Sequence, residues 1–147
     1  MIKLTQNQIR EIYENLDSGM RCFYNPEAGE ILELPDFDMN PDYDRELWQE
    51  TIEKLESSYD RYIEFQPMSS REFFQMMVDF VDSIPDISVK YQLIKSLNRP
   101  KPFRNFKNEI NCAGIYRNKW FEFKEKVYCQ WIEKQIDKLN KSGNEEE

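Results

Sequence analysis

The chain has no histidine. That removes the commonest general base near neutral pH and the commonest neutral metal ligand. It excludes Ser-His-Asp and Cys-His nucleophilic catalysis outright. Three cysteines (Cys22, Cys112 and Cys129) are odd in number, far apart and form no CxxC pair. They read as reduced thiols, not as a disulfide frame or the start of a zinc site. The four glycines, Gly19, Gly29, Gly114 and Gly143, are all isolated, so there is no Gly-rich phosphate loop. No run approaches the ~18 apolar residues of a membrane span. The N-terminus carries no apolar stretch of the signal-peptide kind and enters a polar helix pattern instead. The expectation is a cytoplasmic protein with no membrane segment and no cofactor.

What is present is charge and aromatic side chains. Charged residues make up 33% of the 147 positions and mean hydropathy is −0.83, a composition that leans toward disorder. Aromatics at 14% oppose it, because each Phe, Tyr or Trp buries a large area. The balance fits one modest core and one domain. We expect a single globular domain over residues 1–139 and a polar, acidic, disordered tail over 140–147.

Along the chain, Thr5 with Gln8 three residues on reads as a capping box, with Leu4 and Ile9 at staple positions. Ile9, Ile12, Tyr13 and Leu16 follow the helical period, and Gly19 ends the helix. Met20–Tyr24 and Glu30–Leu34 flank Asn25-Pro26-Glu27-Ala28-Gly29, a β-hairpin with a left-handed glycine before its return strand. Asp36–Asp44 reads as a loop. A helix from Asp42 or Asp44 follows, with Trp48, Ile52, Leu55 and Tyr59 as its apolar face. Residues 61–66 form a third short strand that could pair with the hairpin.

Ser69 and Glu72 repeat the capping box, ahead of Phe73, Met76, Met77, Phe80 and Val81. Asp86 caps a helix whose face is Ile87, Tyr91, Ile94 and Leu97. Pro100 and Pro102 break the chain. Phe103, Phe106 and Ile110 mark a short helix ending near Gly114. The last helix, from about Tyr116 to Leu139, carries Trp120, Phe123, Val127 and Trp131 as its main stripe, continued by Ile132, Ile136 and Leu139. The sum is an α+β fold: a small antiparallel sheet, hairpin plus one strand, packed with about six helices.

Three stretches, "RCFYNPEAGEILELP", "YIEFQPMSSREFFQMMVDFVDSI" and "FRNFKNEINCAGIYRNKWFEFKEKVYCQWIE", span most of the chain. Their order resembles Uncharacterised Protein Family 0158, a set of small, mostly bacterial proteins. The third is the most specific, with an Arg/Phe/Lys cluster, a gap, Trp120-x-x-Phe123 and then Trp131. Residues 98–102 depart from the pattern, with two prolines where a small glycine-containing turn is expected. The resemblance implies a one-domain fold and a cytoplasmic context. It implies no catalytic residue.

Charge is unevenly spread. Residues 99–126 hold eight Lys and Arg against three acids, +5 within a chain of −8. Arg99, Lys101, Arg104, Lys107, Arg117 and Lys119 form the candidate binding surface. Cations could neutralise phosphates while interleaved aromatics stack on bases. Against this, Trp120, Phe123, Val127 and Trp131 fall at core spacing, and a pI near 4.8 opposes nucleic acid. The basic helices could also meet the protein's own acidic segment.

Residues 27–64 carry thirteen acids and three basic residues. Within them Asp36, Asp38, Asn40, Asp42 and Asp44 imitate the start of a calcium loop. Pro41 stands where the loop needs Gly, and Leu47 where it needs a bidentate Glu. A looser divalent-ion site stays open. Cys22, beside Arg21, and Cys129 read as packing residues. The leading expectation is a non-enzymatic interaction module with a protein partner. The alternative is a nucleic-acid-binding accessory protein using the six cations. The third is a histidine-free enzyme working through carboxylates or a divalent metal.

Overall fold

The computed structural model describes the backbone of residues 1–145 and the side chains of residues 1–143. The fold is α+β, with six α-helices and one three-stranded antiparallel sheet of order β2-β1-β3 among the described residues. The chain forms two compact units. The first comprises residues 1–67 and 129–147, the second residues 68–128.

In the first unit, α1 (Gln6–Asp17) starts at the expected capping box. The Gln8 amide donates to Thr5 Oγ1 at 3.1 Å, and the Thr5 amide donates to Gln8 Oε1 at 2.9 Å. Two donors that the first helical turn would leave orphaned are thus satisfied. Ile9, Ile12, Tyr13 and Leu16 are buried, one per turn or nearly so. Gly19, at φ +85°, turns the chain into β1 (Met20–Asn25).

β1 pairs with β2 (Glu30–Pro35) from Met20↔Pro35 to Asn25↔Glu30. Asn25 organises the turn: its Oδ1 accepts from the Glu27 and Ala28 amides at 3.0 and 3.3 Å. Gly29 takes the left-handed φ of +67° that this return requires. β3 (Ile63–Phe65) adds to the other edge of β1, with Cys22 opposite Phe65 and Tyr24 opposite Ile63. Cys22, Phe23 and Tyr24 are consecutive and all buried. Successive strand residues face opposite ways, so β1 is covered on both faces.

The acidic loop ends at Asp44, whose Oδ1 accepts from the Glu46 amide at 3.0 Å. It caps a 3-10 turn (Arg45–Trp48), and only then does α2 (Gln49–Ser57) begin. The expected face of this helix is therefore trimmed. Ile52 and Leu55 are buried, Trp48 on the 3-10 turn is half-buried, and Tyr59 is exposed. The helix stops at Ser58 (φ −138°), which takes Tyr59 out of register.

The second unit is helical. α3 (Ser70–Asp82) begins at the Ser69–Glu72 capping box, and α4 (Ile87–Leu97) begins at Asp86. α5 (Pro102–Asn111) follows a turn in which Lys101 adopts φ +60°, the sole non-glycine with positive φ among the described residues. This is the place where glycine was expected. Pro102 occupies the first turn of α5, and Asn105 Nδ2 closes the turn by donating to the Pro100 carbonyl at 2.8 Å.

α6 (Tyr116–Glu145) places its residues up to Tyr128 in the second unit and the rest in the first. It buries Trp120, Tyr128, Ile132 and Ile136. Tyr128 is therefore a core residue that the Val127–Trp131 stripe passes over. The Tyr128 hydroxyl accepts from the Met68 amide at 3.0 Å. Trp131 is half-buried, and its Nε1 donates to the Gln66 carbonyl at 3.0 Å.

α6 continues to Glu145, into the stretch whose composition reads as a tail. Asn140 makes a reciprocal amide pair with Ile2: its Oδ1 accepts from the Ile2 amide at 2.7 Å, and its Nδ2 donates to the Ile2 carbonyl at 3.0 Å. The rest of that tail, residues 146 and 147, lies outside the described residues.

Candidate interaction surfaces

The basic and aromatic window divides cleanly between inside and outside. Phe106 and Trp120 belong to the core of the second unit, with Met76, Met77, Phe80 and Ile110. The Trp120 ring lies 4.9 Å from Phe106 and 5.4 Å from Phe80, centroid to centroid, at tilted or edge-on angles. Those geometries suit aromatic quadrupoles. Helical spacing thus assigned these rings to packing correctly.

All six candidate cations, Arg99, Lys101, Arg104, Lys107, Arg117 and Lys119, are exposed. Arg104 and Lys107 lie three apart on α5 and share a face. Arg117 and Lys119 lie two apart on α6 and do not. Arg117 stacks over Phe121 at 4.8 Å and donates to Asn111 Oδ1 at 3.2 Å, while Lys119 sits over Tyr116 at 5.6 Å. Phe103 and Phe121 are the exposed rings of the window, at 40% and 37%.

α4 corrects a sequence expectation. Ile87, Tyr91 and Ile94 were expected to face the core with Leu97. Instead Leu93, Ser96 and Leu97 are buried, while Ile87, Tyr91 and Ile94 are 83%, 62% and 38% exposed. The helix is apolar on more than one side, so periodicity alone could not choose between them. The usable signal was the surplus: a half-buried helix needs one apolar stripe, and α4 carries two.

Ile87, Tyr91 and Ile94 stand at i, i+4 and i+7, one contiguous ridge. Lys90 lies three residues after Ile87 and four before Ile94. Lys95 lies four after Tyr91. The ridge is thus flanked by ammonium groups. Lys90 Nζ reaches the Asp82 carbonyl at 3.3 Å, and the nearby Asp86 carboxylate is spent on the Val89 amide at 3.2 Å.

The acidic surface of the first unit is partly neutralised. Arg21 makes a bidentate pair with Glu64 at 2.8 and 2.9 Å. The Glu64 hydrogen bonds, followed by its charge, hold the Arg21 pKa above its ordinary value. Lys54 Nζ bonds Glu30 at 2.6–2.7 Å and the Tyr62 hydroxyl donates to the same carboxylate at 3.1 Å. The Lys54 bond in particular lowers the Glu30 pKa.

Asp36 Oδ1 accepts from the Asp38 and Met39 amides at 3.2 and 3.3 Å. Among the described residues no three Cys, Asp or Glu side chains gather as a metal site. Cys22 is fully buried and accepts a hydrogen bond from Asn15 Nδ2 at 3.6 Å. Burial pushes its thiol pKa up to about 11, which is the behaviour of a packed residue, not of a nucleophile.

The model of the Uncharacterised protein family UPF0158 matches residues 5–143. The chain belongs to this family. No curated protein and no solved structure matches it. For this UPF0158 protein, membership thus covers both compact units and supplies no residue role. Among its described residues no helix is long and apolar enough to cross a membrane. What its surface offers chemically is an apolar ridge with cationic flanks on α4, a set of exposed cations around α5, and an acidic first unit.

Proposed function

We propose that this UPF0158 member is a cytoplasmic, non-enzymatic interaction module. It docks a protein partner on the exposed face of α4. The observation that carries the reading is the ridge of Ile87, Tyr91 and Ile94, exposed opposite the buried face of the same helix. Contiguous exposed apolar surface is costly for a lone protein and marks interaction sites. Lys90 and Lys95 define the partner's chemistry: an amphipathic segment with apolar anchors and flanking carboxylates.

The hairpin, the other surface considered for this role, has no large exposed apolar residue among the described ones. The test is capture on tagged full-length protein, with nuclease, comparing wild type with Ile87→Ser/Tyr91→Ser and with Arg104→Glu. A retained protein that is lost with the α4 variant and kept with Arg104→Glu is the expected result. Retention by the α4 variant overturns the reading.

Nucleic-acid binding is the second reading. It is favoured by the exposure of all six cations beside the partly exposed rings of Phe103 and Phe121. It requires nucleic acid held at low salt, released by added salt, and lost on Arg104→Glu. Binding indifferent to salt removes it.

A further inference from the structure

The first unit carries a cleft of about 310 Å³ between the sheet and α2. Its floor is the small buried cluster of Phe23, Leu34, Ile52 and Leu55, and Phe37 forms one wall. Pockets of this volume, with an apolar floor and a few polar groups at the rim, are the usual form of small-ligand sites.

The polar groups at the rim fall into two sets. Arg21 and Asp36 are committed elsewhere: Arg21 is clamped by Glu64, and Asp36 holds the amides of its own loop. Arg45, Asp38, Glu56 and Tyr59 also line the cleft. Among the described residues their side chains make no hydrogen bond or ion pair. Arg45 is oriented all the same, because its guanidinium stacks on the Phe37 ring 4.5 Å from the centroid. That cation–π contact holds the guanidinium at the cleft while leaving its N–H donors free.

One free cation, two free carboxylates and a phenol therefore stand over an apolar floor. A simple anion would meet Asp38 and Glu56, and a simple cation would meet Arg45. A molecule carrying both charges on an apolar body satisfies all of them. We infer that this cleft binds a small zwitterion with an apolar or aromatic side chain, the chemical class of a free amino acid. Its carboxylate pairs with Arg45, its ammonium with Asp38 and Glu56, and its side chain covers the floor beside Phe37 and Tyr59. The inference is independent of the α4 reading, since every residue it uses lies in the first unit.

The test is calorimetric titration of the full-length protein with L-phenylalanine. 2-Phenylethylamine, which lacks the carboxylate, and 3-phenylpropionate, which lacks the ammonium, serve as truncated probes. L-Phenylalanine is expected to bind saturably, with each truncated probe weaker by about tenfold or more, the loss that follows from one missing charge-assisted hydrogen bond. Arg45→Ala is expected to weaken L-phenylalanine by a similar factor and leave 2-phenylethylamine unchanged. Asp38→Asn/Glu56→Gln is expected to weaken L-phenylalanine and leave 3-phenylpropionate unchanged. Arg45→Lys, which keeps the charge without the fork, should fall between wild type and Arg45→Ala. Absence of saturable L-phenylalanine binding up to about 10 mM, a range that covers a ligand of this size, overturns the proposal. So does equal binding of the three probes, or binding indifferent to Arg45→Ala.

Discussion

In residues 68–128 one indole organises the interior: the Trp120 ring lies within reach of Phe73, Phe80, Phe106 and Phe123. In residues 1–67 and 129–147 Ile12, Cys22, Phe65 and Ile132 are fully buried, while a separate small cluster between α2 and the sheet, Phe23, Leu34, Ile52 and Leu55, has a cleft open above it. Charge divides along the same line. The second unit holds eleven Lys and Arg against seven Asp and Glu, a net +4, and the first holds nine against twenty-one, a net −12. The aromatic-centred unit leaves a ridge on its outside. The acidic unit leaves a hollow beside α2. A protein partner suits the first kind of surface and a small molecule the second, because ridges are buried by docking and hollows by filling.

The comparison breaks first at its cores. Trp120→Ala should cost about 3–5 kcal/mol in urea unfolding, as large aromatic truncations in packed interiors do. Leu55→Ala should fall near the low end of the aliphatic range, about 2 kcal/mol, because its cavity opens toward the cleft and water can enter. Equal losses at the two sites would erase the contrast between an enclosed cluster and one that borders a cleft.

Alkaline pH tests the buried thiol of the first unit. The Cys22 thiol ionises less readily folded than unfolded, because burial disfavours the thiolate. With the folded pKa raised, its contribution is fully present below the unfolded pKa and is lost as pH rises through the folded value of about 11. Hydrogen exchange should show protection falling in β1 and α1 over that range. Cys22→Ala should flatten the fall. Thiol reagents at neutral pH should label the exposed Cys112 well before Cys22.

The two capping boxes offer a matched pair, one per unit. Thr5→Ala and Ser69→Ala should each cost about 1 kcal/mol, read as a shift in the urea midpoint. A large difference between them would mean that surrounding packing, not the cap itself, sets the helix start.

Lys101→Gly gives the smallest effect. It relieves a left-handed backbone at a residue with a Cβ, at the entropic cost of a glycine in the unfolded chain. A gain of less than about 1 kcal/mol is expected. A loss would show that the Lys101 side chain contributes more than its backbone strain costs.

The sequence by itself determined the local decisions. Thr5–Gln8, Ser69–Glu72 and Asp86 start their helices where side chain and backbone satisfy each other within four residues. Asn25 and Gly29 make the hairpin turn by the same kind of short-range chemistry. The burial of Phe106 and Trp120 was legible because each falls at helical spacing from other apolar residues of its own helix, Ile110 for the one and Phe123 and Val127 for the other. The family was legible in the order of three long segments.

What only the tertiary structure decided were choices between equals. α4 has two apolar sides, and which one is covered depends on what packs against Leu93 and Leu97. Tyr128 displaced part of the expected α6 stripe because its hydroxyl finds the Met68 amide. The cleft gathers Arg45, Asp38, Glu56 and Tyr59 from the acidic loop, the 3-10 turn before α2, α2 itself and a second 3-10 turn (Tyr59–Arg61) after it, positions with no shared period. Periodicity reports which residues can share a face of one element. Which face meets a neighbour, and which side chains from different elements converge, is set by packing across long sequence separations, and that information is not carried by any short window of the chain.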